Sequence, residues 1–329
     1  MEYILLVGGI VLLVISGNYL VESAVGIARK FNLSPLIIGM TIVAFGTSAP
    51  ELVVSVQAAL DSHPEIALGN VVGSNIVNIG LILGLTVIIL PVFVSSKSIK
   101  VDWAFMMTVS ILLVIAGWDG MISRLDGIIA VLLLAGFTIW SVRNSKGVEK
   151  EEEETEKHPQ KHLVVYILIF IISCVGLAFG ADFLVDGASV IALRLGVSER
   201  IISIVIVGVG TSMPELTASL TAAFKKEDGI TLGNIIGSNI FNILGVLGIT
   251  SVIRPIVFST EGFRTDFICM LIFAVLLFIG MLNITENYKK VKKSNNLRHL
   301  ISTRKGLIGR IWGGFTLALY VFYVISLFV

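Results

Sequence analysis

A block of 46 residues that occurs twice is the feature that most limits how this chain can fold. Residues 39–84 align without a gap with residues 203–248, at an offset of 164 positions, and 23 of the 46 positions are identical. Both copies contain Gly-Thr-Ser-x-Pro-Glu and, further along, Gly-Ser-Asn-Ile-x-Asn. A duplicated core usually keeps its apolar pattern and drifts in its polar residues. Because the polar residues match here, we expect both copies to serve one site.

Composition predicts an integral membrane protein, since 55% of the residues are hydrophobic, 14% are charged and the mean hydropathy is +0.95. A net charge of +1 indicates no polyanionic partner such as nucleic acid. Ten apolar stretches approach the length of about 20 residues that a bilayer requires. They cover residues 3–28, 35–60, 66–90, 101–118, 125–142, 163–193, 199–224, 230–253, 265–284 and 307–328. We therefore expect an all-α integral membrane protein with ten transmembrane helices, numbered here as spans 1 to 10.

The basic residues predict the orientation of these spans. The loops that follow the odd-numbered spans, together with the chain flanking them, hold 19 of the 24 Lys and Arg residues, and the alternate loops hold five. The positive-inside rule then places the odd loops in the cytoplasm and both termini outside the cell membrane. An offset of five spans is odd, so the second copy enters the membrane from the opposite side. The predicted domains are a five-helix repeat over 1–142, a charged cytoplasmic linker over 143–162, and an inverted five-helix repeat over 163–329.

Two glutamates lie near the middle of the bilayer in this arrangement, Glu51 in span 2 and Glu215 in span 7. An ionised side chain at that depth costs about 2.5–3.5 kcal/mol on insertion scales, so a pair of them indicates function. Each follows Gly-Thr-Ser-x-Pro, and the proline should break the helix just before the glutamate. A break that lines a buried cavity exposes backbone carbonyls, here near Ala44 and Gly208.

The polar residues near these glutamates repeat at helical spacing, so they should share helix faces with them. All of them offer hard oxygen atoms, which suit Ca²⁺ or Na⁺ better than the softer metals that prefer Cys or His. The candidate side-chain ligands are Thr47, Ser48, Glu51, Ser74 and Asn78 in the first copy, and Thr211, Ser212, Glu215, Ser238 and Asn242 in the second.

Structural explanations compete with this prediction at several positions. Ser48-x-x-Glu51 and its counterpart match a capping box, in which the glutamate reaches back to the first amide of its own helix. The Gly-x-x-x-Gly spacing in spans 3 and 8 is typical of close helix packing. Asn75 and Asn239 lie off the ligand stripe, so they could be either ligands or interhelical hydrogen-bonding residues, and Asn70 and Asn234 are equally open.

At these motifs the chain resembles the calcium/cation antiporter superfamily, in particular its prokaryotic sodium/calcium exchangers, whose two α-repeats carry G-T-S-x-P-E and G-S-N-I-x-N. The resemblance implies electrogenic exchange of several Na⁺ for one Ca²⁺ by alternating access, with spans 1 and 6 sliding to gate the site. It implies the ten side-chain ligands named above, with backbone carbonyls at Ala44 and Gly208 as sodium ligands. It also implies a transporter that is not an enzyme, that needs no cofactor beyond the transported ions, and that has membrane lipid but no obligate protein as partner.

One departure from the family pattern concerns the two amides Asn78 and Asn242, since some relatives carry an aspartate at one of these positions. Two central carboxylates then remain, which disfavours K⁺ co-transport. The alternative function is an H⁺/Ca²⁺ antiporter, although the proton-coupled branch lacks Thr-Ser-x-Pro. An ion channel would not require paired broken helices, and an intramembrane protease would use an aspartate pair.

Overall fold

The computed structural model describes residues 1–95, 101–145, 161–196, 208–282 and 305–327, which are mostly helical. The first half contains α1 Glu2–Phe31, α2 Pro35–Ile38, the π-helix π1 Gly39–Val43, α3 Ala44–Thr47, α4 Ala49–Leu60, α5 Pro64–Val77, π2 Asn78–Leu83, α6 Gly84–Ile89, β1 Val92–Ser95, α7 Trp103–Ala116, β2 Met121–Ile122 and α8 Arg124–Arg143. The second half contains α9 Leu163–Arg194, α10 Gly208–Gly210, α11 Met213–Phe224, α12 Asp228–Phe241, π3 Asn242–Leu247, α13 Gly248–Ile253, β3 Ile256–Val257, α14 Thr260–Leu282, β4 Lys305–Ile308 and α15 Arg310–Ser326.

These elements confirm an all-α membrane protein with ten spans. Six helices in the described ranges are long and apolar enough to cross a bilayer, and a seventh span consists of 35–47 and 49–60 with a bend of 44°. The shorter apolar helices α7 and α15 match spans 4 and 10. The tenth, span 7, is represented by α10 and α11, because residues 197–207 lie outside the described part of the chain.

Burial divides the spans into an inner and an outer group. The continuous stretches 64–89 and 228–253 are mostly buried, whereas α8 and α9 expose most of their apolar side chains. Exposed large residues such as Leu132, Leu168 and Ile172 cover the outer helices. An apolar outer surface around a partly polar centre is the arrangement that a lipid solvent stabilises. The inner spans are the ones that carry the duplicated polar residues.

The two longest helices, α1 and α9, run antiparallel. The side chain of Arg194, at the end of α9, donates a hydrogen bond to Glu2 at the start of α1. At the other end, Lys161 Nζ lies 3.0 Å from Glu22 Oε1. A Cβ atom added at Gly9 would lie 2.7 Å from the backbone oxygen of Gly180, so small residues allow the two backbones to approach closely. The first helices of the two halves are therefore inverted relative to each other.

Two short β-ribbons join loops that the sequence analysis treated as separate. Strand β1 pairs with β4 in antiparallel register, with Val92 opposite Ile308, and β2 pairs with β3, with Met121 opposite Val257. One ribbon thus joins the loops after spans 3 and 9, and the other joins the loops after spans 4 and 8. The prediction that span 10 begins at residue 307 is wrong, because β4 continues to Ile308 and the helix begins at Arg310.

Parts of the prediction fall outside the described residues. They include most of the charged linker 143–162, the first half of span 7, and the basic loop between α14 and β4. The domain boundaries proposed from the sequence therefore stay predictions.

Candidate functional site

The predicted helix breaks are present in both copies. Helix α3 ends at Thr47 and α4 begins at Ala49, with the intervening Ser48 at φ −87° and ψ 10°. In the second copy Ser212 has φ −90° and ψ 7° and precedes α11. The following prolines, Pro50 and Pro214, occupy the first turn of α4 and α11, where a missing N–H group removes no intrahelical bond. The breaks place both glutamates in the first turn of a half-helix.

The two glutamates are held crosswise by the serines of the opposite repeats. Ser48 Oγ donates to Glu215 Oε1 at 2.7 Å, and Ser212 Oγ donates to Glu51 Oε1 at 3.5 Å. The side chains of Glu51 and Glu215 are 0% and 1% exposed. Neither serine side chain accepts a hydrogen bond from the start of its own helix, so the capping-box interpretation is wrong. The motif instead ties the two halves of the molecule together.

Several buried oxygen atoms at this centre accept no hydrogen bond within the described part of the chain. They form two pairs related by the repeat: Glu51 Oε2 with Glu215 Oε2, and Asn78 Oδ1 with Asn242 Oδ1. The hydroxyl of Thr211 is a fifth buried atom without a partner. A buried acceptor without a donor costs about 1–3 kcal/mol, and a charged one costs more. Four acceptors repeated in this way are an arrangement that a cation can satisfy.

Thr47, another predicted ligand, contacts the second repeat at this centre. Thr47 Oγ1 donates to Asn234 Oδ1 at 3.1 Å and lies 3.5 Å from Ser238 Oγ. The same hydroxyl lies 3.4 Å from the backbone oxygen of Ala44. Ser74 is buried on α5, and Gly208 begins the short helix α10. The structure therefore brings side chains of the first copy, Thr47, Ser48 and Glu51, against side chains of the second copy, Ser212, Glu215 and Ser238.

Asn70 and Asn234 fasten the neighbouring span to the glutamate-bearing half-helix of the same repeat. Asn70 Nδ2 donates to the backbone oxygen of Glu51 at 3.2 Å and to Ser55 Oγ at 3.0 Å. Asn234 Nδ2 repeats the pattern with the backbone oxygen of Glu215 at 3.3 Å and with Ser219 Oγ at 3.0 Å. Spacing in the sequence did not distinguish this role from that of a ligand.

The electrostatics of the site come from two uncompensated carboxylates. Neither glutamate forms an ion pair with a Lys, Arg or His side chain among the described residues. The same residues contain no cluster of three or more His, Cys, Asp or Glu side chains, so a metal would be held by two carboxylates with amide and hydroxyl oxygens. Hard oxygen ligands of this kind fit Ca²⁺ and Na⁺.

Two π-helical segments begin at the amide residues of the site. Asn78 is the first residue of π2, and Asn242 is the first residue of π3. π-helical turns are rare and occur often at functional sites, because the extra residue in the turn changes the direction of the side chains that follow it. The sequence patterns had not indicated them.

Comparison with known proteins adds an independent line of evidence. The family model described as sodium/calcium exchanger protein matches residues 1–143 and 165–329. The chain is 37% identical over 282 residues to the putative antiporter CaxA of Alkalimonas amylolytica, covering 83% of this chain and 88% of that protein. It is 29% identical over 319 residues to the sodium/calcium exchanger MaX1 of Methanosarcina acetivorans, covering 85% and 91% of the two chains.

Solved structures of the sodium-calcium exchanger NCX_Mj have a similar fold. One of them superimposes with a TM-score of 0.79 and 33% identity, over 99% of this chain and 98% of that chain. That crystal was soaked with Na⁺ and Sr²⁺, and another of the series was soaked with Na⁺ and Ca²⁺.

Proposed function

Because the chain belongs to the sodium/calcium exchanger protein family and is therefore a membrane cation/Ca²⁺ antiporter, we propose that Na⁺ is its coupling ion and that the exchange is electrogenic. The proposal extends the family assignment in two respects, the identity of the coupling ion and the movement of net charge. Its support comes from the oxygen atoms at the centre of the molecule.

The observation that carries the proposal is a repeated set of four buried acceptors that receive no hydrogen bond from the described part of the chain, on Glu51, Glu215, Asn78 and Asn242. In the proposed site these atoms bind the transported cation, and the neighbouring hydroxyl and backbone oxygens complete its coordination. The proposed ligands are Thr47, Ser48, Glu51, Ser74, Asn78, Thr211, Ser212, Glu215, Ser238 and Asn242, with the backbone oxygens of Ala44 and Gly208.

Charge determines which ion loads this site can carry. One Ca²⁺ neutralises the two carboxylates, and two Na⁺ do the same. The amide and hydroxyl oxygens offer further neutral ligands, so a third Na⁺ can bind without another carboxylate. A load of more than two Na⁺ carries more positive charge than one Ca²⁺, which makes the exchange electrogenic.

We propose that α1 and α9 move past the site to open it alternately to the two sides. Their glycine contacts allow close approach without interlocking side chains, as at Gly9 and Gly180. The polar ties at the two ends, from Arg194 to Glu2 and from Lys161 to Glu22, join one helix to the other. We therefore expect the two helices to move together as one unit.

The proposed orientation follows the charge pattern of the loops. The protein would lie in the cell membrane with both termini outside and the linker 143–162 in the cytoplasm, between a repeat over 1–142 and an inverted repeat over 163–329. We propose that transport needs no protein partner and no cofactor.

Uptake of ⁴⁵Ca²⁺ into proteoliposomes tests the coupling ion. Vesicles loaded with Na⁺ should accumulate Ca²⁺, whereas vesicles loaded with K⁺, or carrying only a pH gradient, should not. An inside-positive potential set with valinomycin and K⁺ should accelerate uptake, because net positive charge leaves the vesicle. Uptake driven by the pH gradient and indifferent to Na⁺ would instead support an H⁺/Ca²⁺ antiporter.

A further inference from the structure

We propose that Asn75 and Asn239 are positioning residues. Asn75 determines which end of the Asn242 amide faces the transported cation, and Asn239 does the same for Asn78. The inference rests on the proposed function, since it assumes that these amides bind the ion. Asn75 and Asn239 belong to the duplicated block, but neither supplies one of the four acceptor oxygens described above.

The contacts cross from one repeat to the other. Asn242 Nδ2 donates to Asn75 Oδ1 at 3.2 Å, and Asn78 Nδ2 donates to Asn239 Oδ1 at 3.5 Å. Both pairs have the same geometry under the offset that relates the repeats. Because their NH₂ groups are directed to these partners, Asn78 and Asn242 keep their carbonyl oxygens for the site, where both atoms are buried without a donor.

The orientation of the positioning residues is itself favoured by acceptors that face their NH₂ groups, which are a backbone oxygen and a methionine sulfur for Asn75 and a methionine sulfur for Asn239. Asn75 Nδ2 lies 4.0 Å from Met270 Sδ and 3.3 Å from the backbone oxygen of Asn239. Asn239 Nδ2 lies 3.7 Å from Met106 Sδ. A thioether accepts hydrogen bonds but donates none, so a flipped amide would place two acceptors against each other. The two methionines are also 164 positions apart, outside the 46-residue block.

The two ends of an asparagine amide have nearly the same shape and opposite polarity, so packing alone cannot choose between them. If Asn78 or Asn242 were reversed, two N–H groups would face the cation and repel it. Met106 faces the NH₂ group of Asn239, whose oxygen atom then faces the NH₂ group of Asn78. Each contact thus determines which end of the next amide points towards the site. Met106 and Met270 are 1% and 2% exposed, so water does not compete with the sulfur atoms.

A competing interpretation is that these asparagines only hold the inner helices together. The two roles differ when residue 78 becomes an aspartate. A carboxylate at 78 presents oxygen in either orientation and cannot donate to Asn239 Oδ1, so Asn239 would have no amide to orient there. A purely structural contact would matter equally in either background. A double-mutant cycle therefore separates the roles.

The test measures equilibrium binding of ⁴⁵Ca²⁺ to the purified full chain. Asn239→Leu should raise the Kd for Ca²⁺ about tenfold, because it leaves the buried NH₂ group of Asn78 without its acceptor and no longer holds the carbonyl oxygen towards the ion. In the Asn78→Asp background the same substitution should not raise the Kd, because it removes only an oxygen atom that faces the carboxylate. The cycle of Asn75→Leu with Asn242→Asp should repeat the result. Equal factors in both backgrounds, or no change in either, would overturn the inference.

A second variant keeps the test decisive if Asn239→Leu does not fold. Met106→Leu conserves volume and removes only the sulfur acceptor, so it should raise the Kd about threefold. The matched control is Ser110→Ala on the same helix, a buried residue whose hydroxyl donates to the backbone oxygen of Met106. The control should leave the Kd unchanged, and equal effects of the two substitutions would contradict the inference.

The binding measurement separates failure of this inference from failure of the proposed function. Equilibrium binding requires no Na⁺ gradient. It therefore measures how the amides affect the Kd for Ca²⁺, whichever ion drives transport. A wild-type protein that binds no Ca²⁺ would overturn the proposed function. A wild-type protein that binds Ca²⁺ but gives additive cycles would overturn only the positioning role.

Discussion

Replacing Glu51 by glutamine removes one of two buried negative charges and keeps the size of the side chain. Glu51 is fully buried, its Oε1 atom accepts from Ser212 Oγ, and its Oε2 atom has no hydrogen-bond partner among the described residues. When Ca²⁺ is bound, Glu51 is one half of a buried carboxylate–cation pair, and removing one member of such a pair costs about 3–5 kcal/mol. Since each 1.4 kcal/mol is a factor of about ten, Glu51→Gln should raise the Kd for Ca²⁺ by roughly a hundredfold to several thousandfold.

The assay combines ⁴⁵Ca²⁺ binding to purified protein with Na⁺-driven uptake into proteoliposomes, and Glu215→Gln should behave in the same way. The matched control is Glu65→Gln, which removes an exposed carboxylate near the start of α5, 3.6 Å from His63. It changes the net charge equally but lies outside the site, so it should leave binding unchanged. Wild-type binding and uptake in both buried variants would refute the reasoning.

Four further substitutions, one of them a control, test the packing and the ligands. Ser48→Ala removes a 2.7 Å hydrogen bond to a buried carboxylate and should raise the Ca²⁺ concentration for half-maximal uptake about tenfold. Gly237→Ala would place a Cβ atom 2.5 Å from Met40 Cα and should destabilise the protein by about 1–3 kcal/mol in thermal unfolding. Gly136→Ala, where no atom of the described residues lies within 4 Å, should not destabilise it. Asn242→Asp adds a carboxylate and should alter the Na⁺ dependence or K⁺ sensitivity of uptake, and an unchanged dependence on both ions would count against a ligand role.

The spans and the breaks could be predicted because their signals are local. An apolar run of sufficient length identifies a membrane helix. A proline within such a run, here Pro50 or Pro214, interrupts the helix. The inverted arrangement required only a count of spans and basic residues. The length of a span also predicts which residues lie near its centre, and the structure shows that the two residues so chosen, Glu51 and Glu215, are buried.

Contacts between the repeats could not be predicted from local rules. The pattern Ser48-x-x-Glu51 indicates a cap within one helix, whereas the serine binds the glutamate of the other repeat. That choice depends on how closely two distant segments pack. The β-ribbons likewise depend on loops far apart in the chain. The sequence contains one signal of the contacts around the asparagines. Met106 and Met270 are related by the offset of the repeats, although they lie outside the aligned block.

The crosswise serine bonds give a physical reason for obligatory exchange in the proposed mechanism. A cation between Glu51 and Glu215 neutralises both carboxylates, so a loaded site can be enclosed during the change of access. An unloaded site would enclose two negative charges, at a cost of several kcal/mol, which lowers the rate of empty transit by several powers of ten. Because each carboxylate is bonded to a serine of the other repeat, the halves cannot separate the charges to avoid this cost without also breaking those bonds. Exchange rather than leakage then follows from the same contacts that build the site.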